Sequence, residues 1–138
     1  MTRDQNQQIP VFVYGSLKRG FSNFRFLSDS VFVATGVTKF AIFDMFSYGS
    51  FPAVCEGTHK ISGELYSVTK AVLRRLDDLE GVDSGFYSRG MHDVTLETGD
   101  DVRAYMYTIA RRALEESSVE RYDPVENNVK TWIFSTDL

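Results

Sequence analysis

Apolar residues in this chain change period several times, and each change marks a predicted element. Ile9, Val11, Phe12 and Val13 form a short β-type run, with Pro10 near its start, where no ladder hydrogen bond need be donated. From Val31 to Phe46 β-branched and aromatic residues dominate. Gly36 interrupts them, which predicts one long strand with a bulge there or two strands meeting there. The run Ser47-Tyr48-Gly49-Ser50-Phe51-Pro52 then turns the chain, and Tyr48 to Glu56 reads as a loop. Strict alternation returns over Ile61 to Val68, placing Ile61, Gly63 and Leu65 on one face and Glu64, Tyr66 and Val68 on the other.

Helical spacing follows. Thr69 is a good N-cap, and Val72, Leu73, Leu76 and Leu79 recur at intervals of three and four as one apolar stripe that stops at Gly81. A short helical piece is also expected over Asn23 to Leu27, with Phe24 and Leu27 facing inward. Phe86 to Leu96 and Val102 to Ile109 alternate as two strands, and the polar turn Thr98-Gly99-Asp100-Asp101 joins them as an antiparallel hairpin. Beyond Ala110 the only strong apolar group is Trp132-Ile133-Phe134, where the tail is expected to dock. Strands first, one long helix and then a hairpin predict an α+β domain. Its sheet is mixed, mostly antiparallel, and curled into a small barrel beside one main helix. A single domain over 1–138 is expected, with its motif core at about 9–110 and an extension over 111–138.

Charge and composition narrow the chemistry. A formal net charge of −4 offers no general attraction to nucleic acid or to an anionic membrane face. Met1 to Gln8 is polar, and no stretch has the length of a membrane span, so a cytoplasmic location is expected. Cys55 is the only cysteine and therefore makes no internal disulfide; with His59 and His92 alone there is no zinc-type ligand spacing. These three residues read as structural or surface groups.

Two places carry candidate chemistry. Val13-Tyr14-Gly15-Ser16-Leu17-Lys18-Arg19-Gly20 ends a strand in a small-residue turn. Gly15 permits close approach of a ligand there, and the amides of Ser16 and Leu17 are donors for a carboxylate or phosphate. At the other place, Asp77, Asp78 and Glu80 crowd the last turn of the helix, with Asp83 just beyond. Acids gathered at the negative end of a helix hold their protons more tightly, which, with Glu80 also partly desolvated, would suit it to accept a proton near neutral pH. A solvated acidic surface, moderated by Arg74 pairing with Asp77 or Asp78, is the alternative. Glu64 ranks second among the acids, with an ion pair or an edge position as its structural explanation. Tyr105 and Tyr107 share one face of the last strand, where a buried tyrosine hydroxyl more often satisfies a backbone carbonyl than a substrate.

Tyr14-Gly15-Ser16-Leu17-Lys18-Arg19-Gly20, Gly63-Glu64-Leu65-Tyr66, Leu76-Asp77-Asp78-Leu79-Glu80-Gly81 and Phe86-Tyr87-Ser88-Arg89 occur in this order. Together they resemble the γ-glutamylcyclotransferase-like family, most of all its γ-glutamylamine cyclotransferase branch. The resemblance implies an enzyme that cyclises a small γ-glutamyl amine or amide to 5-oxoproline and releases the amine, with no cofactor and no metal. It assigns substrate binding to Tyr14, Gly15, Ser16 and Leu17, the acid-base role to Glu80, and pocket-lining positions to Tyr105 and Tyr107. Where relatives of the amine type carry Asn-His after the glycine turn, this chain has Asn23-Phe24. Two other functions remain open: a non-catalytic module that binds a small carboxylate or a partner in the same cavity, and a phosphate-binding domain using Lys18 and Arg19. The turn lacks the Gly-x-x-x-x-Gly-Lys-Ser/Thr arrangement that nucleotide phosphates need.

Overall fold

A computed structural model of the chain describes residues 8–15, 27, 30–48, 51–80, 87–110, 120–121 and 126–132. At Tyr48, Phe51, Glu80, Glu120 and Arg121 it describes the backbone alone. Nine strands and one helix are formed among these residues: β1 (Ile9–Val13), β2 (Val31–Thr38), β3 (Phe43–Tyr48), β4 (Phe51–Glu56), β5 (Lys60–Val68), α1 (Lys70–Glu80), β6 (Ser88–Leu96), β7 (Asp101–Thr108), β8 (Glu120–Arg121) and β9 (Val129–Lys130). The larger sheet has the order β1-β7-β6-β2-β5-β9, and β1 also pairs with β5, so five strands close into a ring of hydrogen bonding. Only the β1–β7 and β5–β9 contacts are parallel. A second sheet, β4-β3-β8, is tied to the ring where the Ile109 N–H donates to the Val54 carbonyl at 2.9 Å.

Alternation along β1 explains why the ring closes. Phe12 and Tyr14 belong to a buried cluster that takes Leu65 from β5, Ala34 from β2, Val94 and Leu96 from β6, and Ala104 and Met106 from β7. All five ring strands contribute to it, so it is the ring's interior. Val11 and Val13 face the other way, into a cluster with Tyr66, Leu73, Leu76, Tyr87 and Tyr107, which is where α1 packs. β1 is therefore apolar on both sides, as a strand covered on both faces must be.

Gly63 makes the closest approach inside the ring. A Cβ there would stand 2.3 Å from the Val13 carbonyl oxygen and 2.8 Å from Phe12 Cζ. Gly63→Ala is expected to destabilise the fold by at least about 1–3 kcal/mol, because one of the obstacles is backbone that cannot rotate away. Urea unfolding of the variant checks this through its midpoint.

The helix occupies the expected span. Thr69 Oγ1 accepts from the Val72 N–H at 3.3 Å as its N-cap. Leu73 and Leu76 are buried, but Leu79 is 40% exposed. The covered stripe runs through 73, 76 and 77 and leaves 79 at its margin. The predicted hairpin also forms, with Gly99 at φ 94° in its turn.

Other expectations are corrected. The break after β2 falls at residues 39–42, not at Gly36, which lies within the strand where a Cβ would meet the Thr95 carbonyl oxygen at 2.9 Å. The β2 irregularity lies between Phe32 and Ala34. Most of the segment read as a loop over Tyr48 to Glu56 is strand β4, paired with β3 from Tyr48↔Phe51 to Phe43↔Glu56. Of the helical piece over 23–27, only Leu27 is among the described residues, and it is fully buried. Trp132 docks in the ring cluster as expected, while Ile133 and Phe134 lie outside the described residues.

Composition gave no sign of the buried ion pair that β9 makes with β3. Lys130 Nζ donates to Asp44 Oδ1 at 2.6 Å, with both side chains almost wholly buried. No helix among the described residues is long and apolar enough to cross a membrane.

Candidate active site

Strand β1 delivers Tyr14 and Gly15 to one end of the sheet. Tyr14 is buried, and its hydroxyl donates to the Tyr107 carbonyl at 2.6 Å. Pro52, on β4, closes on Gly15: a Cβ at Gly15 would meet Pro52 Cγ at 2.8 Å. The Pro52 carbonyl in turn accepts from the Tyr87 hydroxyl at 2.9 Å. Glycine is required after Tyr14 for this packing, whatever the turn binds. Ser16 and Leu17, whose amides were the predicted donors, lie outside the described residues, as do Lys18 and Arg19.

The end of α1 is held to β6 and β7 through Asp77. Its Oδ1 accepts from the Tyr107 hydroxyl at 2.7 Å and its Oδ2 from Arg89 Nη1 at 2.6 Å. Arg89, not the helix neighbour Arg74, is thus the cation that Asp77 takes, and the guanidinium also lies over the Tyr105 ring at 4.7 Å. Asp78 is exposed. Glu80 ends the helix, three residues after Asp77 and four after Leu76.

Tyr105 and Tyr107 do share a face, with Tyr107 buried and Tyr105 half-buried against the same cluster. Glu64 stands opposite Val13 in register, on an interior strand of the ring and not on an edge, and its Oε1 accepts from the Tyr66 hydroxyl at 3.0 Å. The structure therefore gathers Tyr14, Gly15, Tyr107 and the end of α1 into one neighbourhood, adds Pro52, Tyr87 and Arg89, which had no assigned part, and gives Asp77, read only as one of the crowded acids, a linking role. Arg89 belongs to one of the quoted motifs, but no periodicity links it to a helix twelve residues earlier. Cys55 is buried, and His92 stacks edge-on against Phe43; burial first, then the Arg103 charge, lowers its pKa from the usual histidine value.

Residues 11–129 match the family described as Gamma-glutamyl cyclotransferase, AIG2-like, and the chain belongs to that family. Its relatives include the gamma-glutamylaminecyclotransferase of Rattus norvegicus, 32% identical over 129 residues, with 76% of this chain and 80% of that protein covered. A Methanocaldococcus jannaschii protein provisionally named a gamma-glutamylcyclotransferase is 38% identical over 103 residues, covering 70% of this chain and 81% of its own length. The crystal structure of an AIG2-like protein from Mus musculus superposes with a TM-score of 0.73 at 29% identity, covering 87% of this chain and 89% of that one. The described fold is thus that of the family, down to one helix set against a ring-bonded mixed sheet.

Proposed function

We propose that this protein cyclises a γ-glutamyl amine or amide to 5-oxoproline and releases the free amine, with Glu80 as general acid-base. One observation carries the proposal: two hydrogen bonds through a single residue, Tyr107, join the turn after β1 to the last turns of α1. An anion-gripping turn and a proton-accepting carboxylate are useful to this reaction only when they serve the same substrate. Resemblance to the gamma-glutamylaminecyclotransferase of Rattus norvegicus supports an amine as the leaving group.

The chemistry needs little else. The substrate's α-ammonium loses a proton to Glu80 and becomes a nucleophile, and its nitrogen attacks the γ-carbonyl carbon. The new C–N bond closes a five-membered lactam. The attacking nitrogen sheds a second proton on becoming the lactam N–H, and the old C–N bond breaks as Glu80 passes its proton to the departing nitrogen. With the second proton also taken up there, the amine leaves as an ammonium and no net proton is consumed. In this scheme the amides after Tyr14 hold the α-carboxylate and bend the glutamyl chain so that its ends meet. Well-oriented intramolecular attack reaches effective molarities on the order of 10⁵–10⁸ M. Asp77 is unsuited to the base role because both of its oxygens already accept hydrogen bonds.

Incubating the purified protein with a panel of γ-glutamyl amines and γ-glutamyl dipeptides, and assaying 5-oxoproline, tests this function. Product from the amines is expected. Ligand-induced thermal stabilisation with no product from any member would instead favour the non-catalytic binding module.

A further inference from the structure

Tyr107 uses both of its polar ends on the candidate site. Its carbonyl accepts from Tyr14 at the turn, and its hydroxyl donates to Asp77 on the helix, at 2.6 and 2.7 Å. Tyr107 is only 3% exposed, so its phenol is spent inside the protein and not at a surface. The second oxygen of Asp77 is held by Arg89, whose guanidinium is itself packed on Tyr105. Three elements, α1, β6 and β7, therefore converge on one carboxylate, one helical turn before Glu80. A solvated acid at a helix end needs none of this, and a helix end held only by apolar packing frays.

We propose that Asp77 and Tyr107, with Arg89 behind them, form a positioning unit that fixes the end of α1 relative to the turn after β1. This inference rests on the proposed function for its kinetic consequence, since the helix end carries Glu80. The geometric reason is the separation in sequence. Tyr14 and Tyr107 are 93 residues apart and Tyr107 and Asp77 are 30 apart, so no local preference sets the distance between the turn and the helix end. Misplacing a reacting group by about 1 Å costs on the order of 100-fold in rate. A hydrogen-bonded strut through the last strand removes that freedom without touching substrate.

Tyr107→Phe, Asp77→Ala, Asp77→Asn and the double variant Tyr107→Phe/Asp77→Ala test the unit in the full chain. Tyr107→Phe and Asp77→Ala are each expected to lower kcat by about 10–100-fold with KM changed less than about threefold, the signature of a lost alignment and not of lost substrate contact. The double variant is expected to be no slower than the slower single one, because one contact is removed twice. Asp77→Asn keeps an acceptor for the phenol and is expected to recover part of the rate that Asp77→Ala loses.

Amide hydrogen exchange supplies a readout that does not depend on turnover: in Tyr107→Phe, peptides covering 77–80 are expected to exchange faster while those of β2 and β5 do not. Unchanged kcat with unchanged exchange at 77–80 overturns the inference, and so does a rise in KM at constant kcat, which makes Tyr107 a substrate contact. If the unaltered protein forms no 5-oxoproline, the proposed function fails and exchange alone judges the strut.

Discussion

Replacing Glu80 with Gln is expected to lower 5-oxoproline formation by about 10²–10⁴-fold, the usual loss when a positioned general acid-base group is removed. Gln matches Glu in shape, so the change removes proton acceptance and little else. At neutral pH the attacking amine arrives as an ammonium, and in the proposed scheme Glu80 relieves it of a proton, since the other acids described on the helix end are otherwise engaged or exposed. Asp77 is held by Tyr107 and Arg89, and Asp78 is exposed. The measurement is kcat and KM on the best γ-glutamyl amine of the panel, with far-ultraviolet circular dichroism to verify folding. KM is expected to stay near the original value, since the proposed grip on the α-carboxylate lies with the turn. Turnover unchanged in the folded variant removes Glu80 from the acid-base role.

The second large effect concerns stability. Lys130→Met alone is expected to destabilise the protein by about 3–5 kcal/mol, because it takes the closely paired Lys130 ammonium away from the buried Asp44 carboxylate. Domains of this kind are stable by roughly 5–15 kcal/mol in total, so a single change of this size brings the fold near its limit. Asp44 also accepts from the Met45 N–H at 2.8 Å, and its Oδ1 lies 3.7 Å from His59 Nδ1, so it organises the start of β3 as well as anchoring β9. Adding Asp44→Asn to Lys130→Met removes both charges while keeping an acceptor for Met45. The double variant is therefore expected to regain most of the loss, since desolvated pairs often break even against uncharged replacements. Denaturant unfolding of the two variants decides: a double variant no better than the single would mean that the side chains contribute through packing and not through charge.

Much of the scaffold was legible because local periodicity reports which side of an element meets the core. Alternation marked β5 and the hairpin of β6 and β7, and three-and-four spacing with Thr69 as cap marked α1, each close to its observed bounds. Strand β4 was missed because Pro52, Gly49 and Ser50 read as turn residues. Pro52 is tolerated in the strand and packs against Gly15. Leu79 illustrates the opposite error: it fits the apolar spacing, yet the covered stripe runs through 73, 76 and 77 and leaves it at the margin, 40% exposed.

The candidate site divides the same way. A strand ending in Tyr14-Gly15 and an acidic helix end were visible as separate features, since each is written in consecutive residues. The link between Tyr14 and the last turns of α1 was not visible in those residues, and only the family resemblance put both features at one substrate. It depends on β7 running parallel to β1 at Val11↔Tyr105, on Tyr107 reaching both elements, and on Arg89 replacing Arg74 as the partner of Asp77. Lys130, a polar residue in a polar stretch, gave no hint that it would be buried against Asp44 from 86 positions away. Sequence by itself determined most of the elements, most of their buried faces and the two candidate half-sites, because backbone preference and hydrophobic burial act over a few residues. Only the tertiary structure decided that Tyr14 and Asp77 are joined through Tyr107 and which charges lose their water, because pairings across 30 to 93 residues are set by ring closure and side-chain reach, which leave no periodic trace in the chain.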